Sequence, residues 1–127
     1  LGYSALHHGN PRDAGFGAPL KLGFPGEVSG RLRPATTWRP IEQATMSYGH
    51  GMSVSLMQIA NAYQVFARDG DMVPLSLSRL DAPPVHGARV FSPQTAREVR
   101  QMLELVVQQG GTAPQAAVPG YRVGGKT

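Results

Sequence analysis

Residues 55–70 read Ser-Leu-Met-Gln-Ile-Ala-Asn-Ala-Tyr-Gln-Val-Phe-Ala-Arg-Asp-Gly and contain a full set of helix signals. The Ser55 hydroxyl can cap the first turn, and Gln58 can reach back from the third helical position to complete a capping box. Gly70 supplies a left-handed stop. These signals predict a helix over residues 55–69, with Ile59, Tyr63 and Phe66 leading the face that packs in the core. The apolar residues at three- and four-residue spacing are Leu56, Ile59, Ala60, Tyr63, Phe66 and Ala67.

A second helix is predicted from Ser92, a good N-cap, and Pro93, which suits the first helical position. Gly110 marks its expected stop. Its apolar face is formed by Ala96, Val99, Leu103 and Val106.

Two segments favour extended structure. Residues 73–80 alternate apolar and polar side chains as a half-buried strand does, and Pro74 restricts that strand to its start or to a sheet edge. Residues 121–123 combine an aromatic and a β-branched residue, so we expect a strand there that the chain end interrupts. The absence of an initiator methionine at Leu1 and this interrupted strand together predict a piece of a larger domain.

Glycine and proline are dense in residues 1–40, so we expect loops and short turns in that region, with a tight turn at residues 24–27. The 127 residues, 41% of them hydrophobic and 16% charged, are sufficient for one compact globular unit. The formal charge of +4 comes from scattered arginines and not from a basic block, which argues against nucleic-acid binding.

The sequence contains no cysteine, which excludes disulfides and thiolate metal sites. No run of ~18 apolar residues and no signal peptide occurs in it. His7 and His8 are adjacent, a spacing that does not place two ligands on one helical face, so we expect no metal and no other cofactor.

The terminal stretch 120–127, Gly-Tyr-Arg-Val-Gly-Gly-Lys-Thr, permits two interpretations. It fits the phosphate-loop pattern, which requires an apolar strand before Gly120 and a helix after the lysine. Alternatively, Lys126 and Thr127 are the first two residues of a Lys-Thr-Gly element, which lies on a strand beside a serine nucleophile in penicillin-recognising enzymes. Five collinear segments bear on this choice: residues 22–30, 38–51, 53–63, 70–76 and 119–127.

Together these segments resemble the transpeptidase domain of division-specific class B penicillin-binding proteins of the penicillin-binding protein 3 type. The resemblance covers residues 15–127, and residues 1–14 stay unassigned. It implies an α+β fold with an antiparallel sheet flanked by helices. It also implies that Lys126 and Thr127 bind substrate or penicillin, and that Tyr48 and His50 are candidate residues of the cleft wall.

The resemblance implies a peptidoglycan D,D-transpeptidase that cross-links stem peptides during septum formation and is acylated by β-lactams. Such a protein acts at the periplasmic face of the bacterial inner membrane, together with other cell-division membrane proteins. Its serine nucleophile stands three residues before a lysine, but Lys21 and Lys126 follow Ala18 and Val123 at that distance. We therefore expect this piece alone to be inactive. The alternatives are a non-catalytic interaction module on the same scaffold and a phosphate-loop nucleotide binder.

Overall fold

The structure is a computed structural model that describes residues 11–46, 49–82 and 84–127. Three α-helices and one small antiparallel sheet lie in this part of the chain, joined by irregular segments and three short 3-10 turns. The longest of these helices have 12 residues, fewer than the about 20 that a membrane crossing requires. In chain order the elements are α1 (Pro40–Met46), α2 (Leu56–Ala67), β1 (Asp71–Met72), β2 (Ala88–Arg89) and α3 (Pro93–Glu104).

Helix α2 begins and ends where its caps predict. The Ser55 hydroxyl accepts from the Gln58 backbone N–H at 3.1 Å, and the Gln58 side-chain oxygen accepts from the Ser55 N–H at 2.9 Å. At the other end, Gly70 adopts a φ of +95° and its N–H donates to the Val65 carbonyl at 2.7 Å. The predicted helix is confirmed, but it ends at Ala67, two residues before the predicted end, because Asp69 already adopts a left-handed φ of +53°.

The predicted core face of α2 is wrong in most positions. Phe66 is buried, but Leu56 is 81% exposed and Ile59 is 38% exposed. The chain packs against the opposite side of the helix, because the irregular segment before it and strand β1 after it both cross there. The buried residues of α2 are Gln58, Asn61, Ala62, Val65 and Phe66.

Gln58 connects α2 to the irregular first third of the chain. Its side chain is fully buried, and its amide nitrogen donates to the carbonyls of Ala18 at 2.9 Å and Ser29 at 3.0 Å. Next to it, Arg31 and Ser53 form an isolated antiparallel bridge with both backbone hydrogen bonds present. The expected irregular structure is therefore confirmed for residues 11–34, and it is anchored by a buried amide.

The tight turn that the sequence predicts lies within this region. Residues 25–26 form a turn, which the Phe24 N–H closes by donating to the Glu27 carboxylate at 3.1 Å, so the tight turn at residues 24–27 is confirmed. Residues 1–10 lie outside the described part of the chain.

Helix α3 is also confirmed, with the Ser92 hydroxyl accepting from the Thr95 N–H at 3.0 Å. Its buried residues Ala96 and Val99 face α2, where the Phe66 ring stacks on Phe91 at 5.6 Å between centroids. The helix continues into a 3-10 turn over Leu105–Val107 before the chain reverses near Gly110.

Both predicted strands are wrong. Only Asp71 and Met72 form a ladder, with Arg89 and Ala88 as their partners, and residues 73–80 form an irregular loop. Pro74 lacks the N–H that would extend the ladder, and no described segment runs beside the alternating residues that follow it. Residues 121–123 are likewise irregular, because no described strand lies beside them to complete a ladder.

The buried amide of Gln58 generates a stability prediction. We expect Gln58→Leu to lower the free energy of unfolding by about 2 to 4 kcal/mol, because two carbonyls and one N–H lose the partners that the buried amide supplies. Gln101→Leu, the same change at an exposed position of α3, is the control and should change stability by less than about 0.5 kcal/mol. Urea denaturation of both variants measures the difference, and equal losses would contradict the assigned role of Gln58.

Candidate functional site

The terminal segment 121–127 lies against the C-terminal part of α3. The Gly125 N–H donates to the Leu103 carbonyl at 3.1 Å, and the Arg122 guanidinium pairs with the Glu104 carboxylate at 2.7 Å. Arg122 is largely exposed, so this ion pair adds little stability, and the backbone contact is the firmer anchor. Helix α3 thus holds the two residues at the end of the chain in a defined place.

Lys126 and Thr127 are both exposed at the surface. The Lys126 ammonium contacts the Thr127 carbonyl, and the Thr127 hydroxyl lies 2.8 Å from the Thr112 hydroxyl. The segment therefore presents a cation and a hydroxyl side by side, and Thr112 fixes the position of that hydroxyl. An accessible ammonium beside a hydroxyl donor is suited to binding a carboxylate.

The geometry before Gly120 differs from that of a phosphate loop. Pro114–Ala116 forms a 3-10 turn, and the Tyr121 N–H donates to the Val118 carbonyl at 3.1 Å in a further turn. A phosphate loop needs a buried strand that ends at its first glycine, and these residues are neither extended nor buried. The structure therefore argues against the nucleotide-binding interpretation of this segment.

The structure describes one of the two candidate residues of the cleft wall. Tyr48 lies outside the described residues. His50 is exposed in the turn after α1, where its backbone N–H donates to the Thr45 carbonyl at 3.1 Å. No hydrogen bond joins His50 to Lys126 or Thr127, all three of which the structure describes.

Helix α1, which leads into that turn, has in its first turn a carboxylate with several partners. Glu42 accepts from the Arg39 backbone N–H at 2.8 Å and from the Arg33 guanidinium at 2.6 Å. The Arg39 hydrogen bond, followed by the Arg33 contact, lowers the pKa of Glu42 from its ordinary value of 4.5. Trp38 completes the arrangement by donating from its indole nitrogen to the Arg33 carbonyl at 3.1 Å.

Sequence reasoning missed an apolar groove of about 340 Å³ beside the N-terminus of α2. Phe24, for which the sequence predicts only a tight turn, lines this groove and is 64% exposed. The apolar loop residues that surround it carry no helical or strand periodicity, so no sequence signal joined them. The other apolar lining side chains include Leu20, Leu22, Val28, Met57 and Leu77.

No group of three or more histidine, aspartate or glutamate side chains that could hold a metal ion occurs among the described residues. His7 and His8 lie outside that part of the chain. Asp71, which is buried beside β2, pairs with the Arg89 guanidinium at 2.9 Å and lies 3.9 Å from the His86 ring, so its partners explain it as a structural carboxylate.

The family profile for the penicillin binding protein transpeptidase domain matches residues 11–127, and the chain belongs to this family. Its α+β architecture agrees with a part of such a domain. The apo transpeptidase domain of Burkholderia pseudomallei penicillin-binding protein 3 is 55% identical, with a TM-score of 0.82, over 96% of this chain and 36% of that chain. A crystal structure of a peptidoglycan glycosyltransferase from Burkholderia ambifaria matches at 54% identity and a TM-score of 0.84, over 98% of this chain and 38% of that one.

Relatives with named activities are similar over most of the chain. The probable peptidoglycan D,D-transpeptidase PenA of Neisseria gonorrhoeae is 47% identical over 91% of this chain and 20% of its own length. The peptidoglycan D,D-transpeptidase FtsI of Escherichia coli is 41% identical over 89% of this chain and 19% of its own length. The chain therefore spans about a fifth of the length of these relatives.

The lowered pKa of Glu42 generates a pH-dependent prediction. A carboxylate with a depressed folded-state pKa contributes stability that is present above its ordinary value of 4.5 and is lost as the pH falls through the folded-state value. We expect Glu42→Gln to lower the melting temperature at pH 7, and the gap to wild type to close as the pH falls well below 4.5.

Melting curves between pH 7 and pH ~2.5 measure this gap. Gln101→Ala, which changes no titrating group, should give an offset from wild type that does not depend on pH. A Glu42→Gln gap that stays constant over the same range would show that the carboxylate charge is not the source of the stabilisation.

Proposed function

We propose that the chain is the part of a peptidoglycan D,D-transpeptidase that carries one wall of its substrate cleft. The observation that carries this proposal is the similarity to the penicillin-binding protein 3 transpeptidase domain, at 55% identity over 96% of the chain. The whole protein would cross-link stem peptides of the cell wall during septum formation, and β-lactams would acylate its serine nucleophile.

Lys126 and Thr127 would bind the carboxylate of the stem peptide or of the penicillin. Their exposed ammonium and hydroxyl support this role, since both groups donate hydrogen bonds and one carries a positive charge. Thr112 and the Gly125 backbone would keep the pair in position against α3. Tyr48 and His50 stay proposed residues of the cleft wall.

The nucleophile would come from another part of the whole protein. A serine three residues before a lysine is required, and neither Lys21 nor Lys126 has one. A serine two residues before an asparagine is required as well, and Asn10 and Asn61 follow His8 and Ile59 at that distance. We therefore expect the 127-residue chain alone to be inactive.

The place of action follows from the proposed substrate. Peptidoglycan lies outside the bacterial inner membrane, so the whole protein would work at the periplasmic face of that membrane. An anchor and contacts with other cell-division membrane proteins are part of this proposal.

A direct prediction concerns the chain alone. Incubation with a fluorescent penicillin should give no covalent adduct, because no serine in the chain has the lysine that would activate it. Intact-mass spectrometry measures this outcome, and the transpeptidase domain of Burkholderia pseudomallei penicillin-binding protein 3 is the positive control. A stoichiometric adduct on any serine of the 127 residues would contradict the assignment of the nucleophile to another part of the protein.

A second prediction concerns Lys126 in the complete enzyme. Lys126→Ala should slow acylation by penicillin at least tenfold, which is about 1.4 kcal/mol of activation free energy, because it removes the cation that holds the anionic ligand. The melting temperature should stay nearly unchanged, since an exposed ammonium contributes little to stability. Acylation rates from stopped incubations, together with melting curves, measure both effects.

Lys21→Ala is the matched control, because Lys21 is the other lysine of the chain and is also exposed. It should leave the acylation rate unchanged. An unchanged rate in Lys126→Ala would remove Lys126 from the site. A rise in melting temperature with ATP or GTP that Lys126→Ala abolishes would support the phosphate-loop alternative instead.

A further inference from the structure

A carboxylate lies beside the segment that carries the two candidate ligand-binding residues. Glu104, the last residue of α3, is the only acidic side chain in residues 99–127. It stands close to the end of the chain, because the neighbouring Leu103 carbonyl accepts from the Gly125 N–H at 3.1 Å. Glu104 and Lys126 are each one residue away from this hydrogen bond, so their Cα atoms lie within about 15 Å of each other.

The end of α3 adds to the negative potential of this carboxylate. A helix carries a partial negative charge at its C-terminus, where its last carbonyls have no partner within the helix. The terminal segment 121–127 is attached at this end, through the Leu103 carbonyl. The proposed binding place for an anion is therefore held against the negative end of a helix, which by itself weakens the binding of a carboxylate.

Arg122 offsets the charge of Glu104. Its guanidinium lies 2.7 Å from the Glu104 carboxylate, and it belongs to the same terminal segment as Lys126. Arg122 is 78% exposed, so the pair contributes little to stability. Arg100, the nearest cation along α3, pairs instead with Asp69 at 2.6 Å. Arg122 is thus the residue that neutralises Glu104, and its role concerns charge more than folding.

We propose that Arg122 sets the preference of the candidate site for anionic ligands by neutralising Glu104 beside Lys126. Arg122 acts through the charge of Glu104 and does not itself contact the ligand. This inference rests on the proposed function, because it concerns the carboxylate that Lys126 and Thr127 would bind. With Arg122 in place, an approaching stem peptide or penicillin meets the charge of Lys126. Without it, the uncompensated Glu104 repels the ligand carboxylate.

The expected effect is a modest change in rate that depends on salt. A unit charge about 12 Å from an anion, in a surface environment with a dielectric constant of about 40, changes the affinity for that anion about threefold. The screening length is about 30 Å at ~0.01 M ionic strength and about 3 Å at ~1 M. The effect is therefore present at low ionic strength and absent at high ionic strength.

Two variants of the complete enzyme test the proposal because they change the charge in opposite directions. The rate of acylation by a penicillin is measured at ~0.01 M and at ~1 M ionic strength. Arg122→Gln leaves Glu104 uncompensated and should slow acylation about threefold at low ionic strength. Glu104→Gln leaves Arg122 unpaired and should accelerate acylation by about the same factor. Both differences should disappear at high ionic strength, and the double variant should react like the wild type.

A purely structural role for the ion pair predicts a different pattern. If the pair acted only as a link between α3 and the terminal segment, Arg122→Gln, Glu104→Gln and the double variant would all be slow at both ionic strengths. That pattern overturns the proposal, and so does a wild-type rate for Arg122→Gln at low ionic strength. If Arg122→Gln fails to fold, Glu104→Gln decides alone, since a Glu104→Gln enzyme that is not faster than wild type overturns the proposal.

Arg97→Gln is the matched control, because it removes the same charge from an exposed position of α3 about two turns before Glu104. It should leave the acylation rate unchanged. Equal slowing in Arg97→Gln and Arg122→Gln would reveal a general effect of net charge and overturn the assignment to Arg122.

Lys126→Ala, measured beside these variants, separates this inference from the function on which it rests. An enzyme that Lys126→Ala slows and Arg122→Gln leaves unchanged refutes the inference alone. A complete wild-type protein that penicillin does not acylate refutes the proposed function.

Discussion

The burial of the Gln58 amide is the constraint on which the rest of this structure depends. An amide removed from water must find partners for its donors and its acceptor, and Gln58 finds them in three different segments. One partner caps α2 and the other two lie 40 and 29 residues earlier in the chain. A segment with almost no regular structure is thereby fixed against a helix, where apolar contacts alone would permit many arrangements.

The sequence predicts the helix boundaries well because caps are local. Ser55 with Gln58, and Ser92 with Pro93, supply every atom of their caps within a few residues, so the pattern is sufficient. Which side of α2 packs in the core is not decided locally, because it depends on loops that reach Gln58 from far away in the chain. The strands fail for the same reason: alternation in residues 73–80 indicates a half-buried ribbon only if a partner strand exists beside it.

The candidate site shows the same difference between local signals, which the sequence reveals, and distant contacts, which it does not. Lys126 and Thr127 were identified from a short motif, and the structure shows them exposed at the end of a segment held by α3. The support that Thr112 and Glu104 give to this segment was not predictable, because neither belongs to a recognisable pattern. Helix α3 also contacts the end of α2, where Arg100 pairs with Asp69 at 2.6 Å. A single rigid helix therefore connects the candidate site to the packed centre of the chain.

The shortness of the β1–β2 ladder has a consequence for the insertions that the loop between the strands can tolerate. Two residue pairs of the ladder close the loop between the strands. A side chain at Gly87 would collide with the Met72 carbonyl, so the two ends of the loop are held in a fixed arrangement. The entropy of closing a loop rises only slowly with its length, by about 0.6 kcal/mol for each doubling. Insertions into the loop should therefore change the free energy of unfolding little and leave the helices unaltered.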